Sequence, residues 1–363
     1  MEAARTLIVL EILDELMERD LRRQRVYRDK CNPFDQSEEE FINYFRMSKS
    51  TAWYVIESLR NDLSNRSISR HALSPEEKVL CALLFYGSGT YQRFAGNDRY
   101  LGLSQSSVSR CVNDVSSAIN SKMLPLWIQF FSSKEHQSKT KMEFNLKFGF
   151  PGIIGAIDCT HVAIVAPNNT QEYQSSIYMN TKSFFSINVQ IICDVNMRIL
   201  NINAKYPGST QAAFIWRHSA IRNALLANNE AGSWLIGDSG YPLEPWLMTP
   251  ISNADEDSSS ARYNYAHTQA RNTIEQCIVL LKSRFRCCQR SRQLHYSPEK
   301  AGLIINACAV LHNICIHHNV RHFPIEELDE DIAWGPIPQD NGTNSLRDNA
   351  VALRNSLLMT RFS

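Results

Sequence analysis

Two short apolar runs in this chain each end in an aspartate, and that coincidence restricts the folds open to it. Trp234-Leu235-Ile236 leads at once into Gly237-Asp238-Ser239-Gly240, and Ile153-Ile154-Gly155-Ala156-Ile157 leads into Asp158-Cys159-Thr160-His161. A run of this length, bounded by a turn signal, reads as a buried strand. Two such strands would deliver two carboxylates to one rim of a sheet. Thirty-seven residues after Asp238 stands Glu275, in a stretch from Arg271 to Arg286 with Ile274, Ile278, Leu281 and Phe285 at helical spacing. Glu275, Lys282 and Arg286 fall on its other face. Three acids from two strands and a helix suit a divalent-metal phosphodiester site: hard oxygen ligands, no thiolates, and positions left for phosphate and water.

Each acid also has a plainer reading. Asp238 in Gly-Asp-Ser-Gly suits an ordinary turn. Asn272 stands three residues before Glu275, the spacing of a capping box, which would tie the carboxylate to the backbone. Asp158 resists such a reading, because a carboxylate closing so apolar a run is costly to bury without a partner.

Charge and cysteine usage narrow the rest. The balance of 38 Lys and Arg against 37 Asp and Glu does not announce nucleic acid for the whole chain. Locally it differs: after Glu275, the residues Lys282, Arg284, Arg286, Arg290, Arg292 and Lys300 stand against Glu299 alone. Beside a carboxylate cluster such a strip can hold DNA backbone phosphates while the acids hold metal; without one it is a solvated helix face. The ten cysteines show no CxxC and no paired zinc spacing. Most lie in apolar runs, which predicts buried reduced thiols and a cytosolic or nuclear compartment. Cys315, with His312, His317 and His318, sits on one apolar helix and is expected to pack in the core. Thr6 to Met17 is interrupted by Glu11, Asp14 and Glu15 and does not read as a secretory signal. No apolar run approaches the length of about 18 residues expected of a membrane span, so no membrane partner is expected.

The 363 residues allow about two domains, and four regions are expected. Residues 1–70 form an N-terminal helical region. In it Leu7, Leu10, Met17 and Leu21 precede a basic cluster, Arg19, Arg22, Arg23, Arg25 and Arg28, which reads as the wet face of an amphipathic helix or a DNA- or partner-facing one. Ser37 with Glu40 marks a helix start. Residues 71–148 open on a stronger one, Ser74-Pro75-Glu76-Glu77. Tyr91 to Tyr100, a Leu101-Gly102-Leu103 turn and a helix capped by Ser104 then give helix-turn-helix character. Gln105, Ser106, Ser109 and Arg110 would face a groove or a phosphate.

Residues 149–320 read as strands at 153–165, 184–193 and 198–206, a helix at 212–226, a strand at 233–237, and helices at 269–286 and 298–317. This order predicts an α/β, RNase H-like core: an antiparallel meander whose first strand is joined in parallel by the fourth through a helical crossover. Residues 321–363 form an acidic, Pro/Gly-containing linker, read as disordered, and a last helix at about 344–359.

The acids and their flanks also carry a resemblance. Gly155-Ala156-Ile157-Asp158-Cys159-Thr160-His161-Val162, the stretch from Gly237 to Pro250, and the stretch around Arg271-Asn272-Thr273-Ile274-Glu275 resemble the catalytic segments of the PIF/Harbinger transposase family of DDE endonucleases, including its transposase-derived nucleases. Ser297-Pro298-Glu299-Lys300 and the run Ala307 to Ile314 fit the same family, and the similarity spans about Ser74 to His318. The resemblance implies that Asp158, Asp238 and Glu275 are the metal-binding catalytic set, acting on DNA in the nucleus with a separate Myb/SANT-like DNA-binding protein.

In a two-metal site the ions lie about 3.5 to 4 Å apart. Asp158 would bridge both, with Asp238 and Glu275 completing one each. Mg²⁺ suits such oxygen ligands, and Mn²⁺ can replace it. His161 is placed to touch a phosphate or leaving group, or simply to pack.

The chain also departs from the family. After Pro207-Gly208-Ser209 the family commonly carries an aspartate where this chain has Ala212, and its basic-glycine motif is reduced here to Asn180-Thr181-Lys182-Ser183. A protein that keeps the fold but not the chemistry, binding DNA or protein in the nucleus, is the alternative this leaves open.

Overall fold

Helix starts in the first third follow their capping chemistry. A computed structural model describes residues 31–64, 72–89, 92, 100–130, 133–169, 174–227, 230–323 and 344–363. Helix α1 (Glu38–Phe45) is opened by a Ser37/Glu40 capping box, and α3 (Pro75–Ser88) by a Ser74/Glu77 box with Pro75 in the first turn. Between them lies α2 (Lys49–Leu63), which buries Val55, Ile56 and Leu59. Helix α4 (Gln105–Ala118) is capped by Ser104 and buries Val108, Cys111, Val112 and Val115. It is the second helix of the expected helix-turn-helix. Nearly all of the first, and the N-terminal basic helix, lie outside the described residues. Helix α5 (Lys134–Phe148) then leads into the sheet.

The apolar runs preceding Asp158 and Asp238 are neighbouring strands. Strand β1 (Ile153–Ala163) pairs antiparallel with β2 (Ser186–Cys193), and β2 pairs antiparallel with β3 (Ile199–Pro207). The chain then crosses over through α6 (Ala212–Arg217) and α7 (Ala220–Ala227), a single helix in the sequence reading, divided here at His218-Ser219. Strand β4 (Trp234–Ile236) returns parallel to β1. A two-residue strand, β5 (Leu247–Met248), extends the sheet to the order β3-β2-β1-β4-β5. So short a strand has no periodicity to read.

Two long helices close one face of this mixed α/β sheet. Helix α8 (Ser259–Arg284) begins ten residues before the expected start, because Ser258 rather than a later residue caps it. Its first half is keyed to the β5 edge: Tyr263 Oη donates to the Thr249 carbonyl at 3.0 Å, and the Asn264 side chain exchanges two 2.8 Å bonds with Ile251. Helix α9 (Pro298–His317) is apolar enough by length and composition to cross a membrane, yet 14 of its 20 residues are buried inside the protein. Asn313 bonds both the N–H and the carbonyl of Ile199 at 2.8 Å, closing the start of β3. The expected last helix is present as α10 (Asn344–Arg361), and the Phe362 ring that follows it packs on Phe150 and Tyr263.

One apolar core runs without a break from α1 through α4 to β1, β2, α8 and α9. A smaller cluster, including Ile154, Ile157, Trp216 and Leu235, fills the other face. Helix α9 approaches β3 closely at Gly302, where a Cβ would stand 2.6 Å from the Ala204 carbonyl oxygen. Gly302→Ala is therefore expected to push α9 off the sheet and cost about 1 to 3 kcal/mol, read from the denaturant midpoint at unchanged slope.

Candidate active site

Strand register brings the two aspartates together. Ala156 is paired with Ile236 across the parallel β1/β4 ladder, so Asp158, midway along β1, and Asp238, two residues past the end of β4, each lie two residues beyond a matched pair and stand level with one another. Two residues along a strand is also the same face. That face carries α8, which brings Glu275 to the pair. The capping-box reading of Glu275 falls away, since Asn272 is deep inside α8 and not at its start.

Between the acids sits a residue that the sequence reading passed over. Arg271, one turn before Glu275, donates Nη2 to Glu275 Oε1 and Nη1 to Asp158 Oδ2 at 3.4 Å. The signal was there, as an Arg/Glu pair at i, i+4. What the spacing could not say is that this face meets Asp158. The other Asp158 oxygen accepts the Cys159 N–H at 2.7 Å, and Asp238 Oδ1 accepts the Gly240 N–H at 3.1 Å. Asp238 is thus a turn aspartate as well as a member of the acid cluster.

The electrostatics ask for a cation. Burial, reinforced by the neighbouring Asp238 charge, pushes the Asp158 carboxyl up to about 7, against the opposing pull of Arg271 and the Cys159 N–H. Burial likewise raises Asp238, again opposed by Arg271. All converging donors are carboxylate oxygens. The nearby Cys159 thiol is engaged elsewhere, with Sγ 3.3 Å from Tyr241 Oη. This donor set fits a hard divalent ion.

A pH dependence follows. The folded-state Asp158 pKa lies above its ordinary value of 3.8, so its contribution to metal-free stability is largest below about 4 and is lost as pH rises through about 7. Ligation needs the ionised form, so metal affinity should climb over the same range. Melting curves with chelator and with Mn²⁺ between pH 5 and pH 8 check this: the metal-induced rise in melting temperature should grow with pH and flatten in Asp158→Asn.

The loop after Asp238 is held by a buried network of its own. Glu244 accepts the indole N–H groups of Trp216 at 2.9 Å and Trp246 at 2.8 Å, and a bidentate Arg222 guanidinium, Nη2 to Oε1 at 2.7 Å and Nε to Oε2 at 3.1 Å. The carboxylate is satisfied on both oxygens. It fastens the loop to α6 and α7.

The basic strip does not form one surface. Lys282 is buried and donates Nζ to the His161 carbonyl at 2.9 Å, tying α8 to β1. Arg284 is 1% exposed; it donates to the carbonyls of Arg46 at 2.8 Å, Val320 at 3.2 Å and Arg321 at 3.1 Å. It is a structural residue and cannot meet DNA from there. Lys282 and Arg284 both sit on the buried side of the last turn of α8, and because the helix stops at Arg284 a helical projection does not carry on to the later residues. Arg286 is half-buried in a 3-10 turn, whereas Arg290 is exposed and lies over the Phe184 ring at 4.6 Å. Arg110 is exposed on α4.

His161 points to the opposite sheet face from Asp158, with Nδ1 3.0 Å from Ser186 Oγ. Ala212 opens α6 and packs on the smaller apolar cluster, offering no oxygen. His312 is fully buried, with Nε2 2.9 Å from the Met197 carbonyl, and Cys315 is buried too, as core packing requires; His317 and His318 are exposed.

Comparison with known proteins adds the lineage. Residues 157–313, which enclose all three acids, match the family described as DDE superfamily endonuclease. The protein named "Putative nuclease HARBI1" of Rattus norvegicus is 35% identical over 336 residues, 92% of this chain and 94% of that one; its Homo sapiens counterpart is 34% identical over the same shares. "Protein ALP1-like" of Arabidopsis thaliana is 26% identical over 313 residues, 81% of this chain and 73% of that one. No solved structure matches the chain. With the sheet order, the placement of the acids and this degree of identity in agreement, the chain belongs to the Harbinger transposase-derived branch of the DDE superfamily of endonucleases.

Proposed function

We propose that the protein is a divalent-metal-dependent endonuclease that hydrolyses DNA phosphodiester bonds, with Asp158, Asp238 and Glu275 as its metal ligands and catalytic set. The observation that carries this reading is that two parallel strands and one helix bring three carboxylates into mutual electrostatic reach, with Asp158 and Glu275 bridged by one guanidinium and burial raising Asp158. Bound Mg²⁺ or Mn²⁺ supplies an activated water and neutralises charge on the scissile phosphate. The protein's own part is to aim the donors. The Cys159 N–H fixes one Asp158 oxygen and leaves the other directed at the cluster, while Gly240 fixes Asp238. The keyed first half of α8 sets the height of Glu275.

Arg271 holds the acids while no ion does, and its planar fork suits a phosphate once they are ligated. Arg290 and Arg110, both exposed, are the cations placed to hold DNA backbone. Action in the nucleus together with a Myb/SANT-like DNA-binding protein completes the proposal.

Ala212 favours a second reading, a DNA- or protein-binding module that keeps the fold without cleavage. Supercoiled plasmid incubated with purified protein and Mg²⁺ or Mn²⁺, beside Ala212→Asp, separates the two. Nicking by the native chain, or by Ala212→Asp alone, supports the metal site. No nicking by either leaves the binding module.

A further inference from the structure

Ten cysteines without a metal-binding spacing give no reason to look for a thiolate site, yet the fold assembles one. The 3-10 turn Arg286–Cys288, which follows α8, places Cys287 and Cys288 beside Cys308 of α9. Their sulfurs stand 3.9 Å (Cys287 to Cys288) and 3.7 Å (Cys287 to Cys308) apart, and all three lie within 4.8 Å of one another. Two thiolates on one tetrahedral ion with metal–sulfur bonds near 2.3 Å are separated by about 3.8 Å. The cluster therefore has ligand spacing before any ion arrives. A disulfide would need the sulfurs to close to about 2.05 Å.

We propose that Cys287, Cys288 and Cys308 form a second metal site, for a thiophilic d10 ion, Zn²⁺ or Cu⁺, separate in place and chemistry from the carboxylate site. Three soft sulfurs in an oxygen-poor core select such ions over Mg²⁺ or Mn²⁺. Cu⁺ is satisfied by three thiolates, and Zn²⁺ would take a fourth ligand. Binding releases the thiol protons. With Zn²⁺ the three thiolates carry one surplus negative charge, which the neighbouring Lys282 ammonium opposes. The site would fasten the end of the Glu275 helix to α9, against the Gly89 end of α3, where a Cβ on Gly89 would meet the Arg286 backbone at 2.9 Å.

The test uses the full chain, reduced with a phosphine and freed of metal by chelator, then titrated with Cd²⁺ as a spectroscopic stand-in for Zn²⁺. One equivalent of Cd²⁺ should raise the ultraviolet sulfur-to-metal charge-transfer band, with Zn²⁺ competing for the site. The band should survive in Asp158→Asn, which alters only the carboxylate site, and in Cys315→Ser, another buried thiol. It should be lost in Cys287→Ala and in Cys308→Ser. If either variant fails to fold, the band itself still decides in the native chain and in Asp158→Asn, because the carboxylate site has no sulfur and cannot give it. Elemental analysis of chain isolated from cells tells Zn²⁺ from Cu⁺. No band in the native chain, or a band that persists in both folded cysteine variants, overturns the site. So does a Cys287–Cys288 or Cys287–Cys308 disulfide in isolated protein with no metal uptake after reduction.

Discussion

Asp158→Asn is expected to lower metal-dependent DNA cleavage on the order of a thousandfold or more, while raising the melting temperature of the metal-free protein at pH 8. The two effects have one cause. Asp158 is buried beside Asp238, and the balance of forces on it opposes ionisation even with Arg271 at 3.4 Å. Above about pH 7 the folded protein carries that charge at a cost, which asparagine removes. The same charge is what a divalent ion needs. Thermal melts in chelator and plasmid cleavage in Mg²⁺ give both readouts from one preparation. Loss of cleavage accompanied by loss of stability would instead assign Asp158 a packing role.

Arg284→Ala is expected to destabilise the fold by about 3 to 5 kcal/mol, far more than a surface arginine can. The substitution strands three carbonyls, of Arg46, Val320 and Arg321, that the guanidinium now satisfies. It also empties a volume in the core, since Arg284 is among the largest fully buried side chains. Chemical denaturation measures it. A DNA-contacting arginine would behave oppositely: stability unchanged, with the salt dependence of DNA binding reduced by about one ion. Arg290→Ala is the matched surface control.

Asp158, Asp238 and Glu275 could be singled out in the sequence because each aspartate follows a short apolar run and breaks it, and because the helix that carries Glu275 is periodic; that β1 continues five residues past Asp158 could not be read from the run itself. The crossover order followed from the alternation of elements. What could not be read was register. Nothing local pairs Ala156 with Ile236, yet that pairing alone sets Asp158 level with Asp238. Arg271 was hidden for the same reason: its i, i+4 relation to Glu275 is local, and its reach to Asp158 is not. The basic strip is no single surface because nearness along the chain does not set direction: the last turn of α8 points Lys282 and Arg284 inward, and Arg290, beyond the helix, faces outward. Cys287, Cys288 and Cys308 meet across 21 residues of sequence through tertiary packing of α9, which no spacing rule encodes.

If Asp158, Asp238 and Glu275 form one metal centre, calorimetric titration with Mn²⁺ shows it directly. The native chain is compared with Asp158→Asn, Asp238→Asn and Glu275→Gln, each in a Cys308→Ser background so that thiolates contribute nothing. The account predicts binding in the parent and at least a tenfold loss of affinity in every one of the three variants. Mn²⁺ binding that is equal in the parent and all three variants would contradict it.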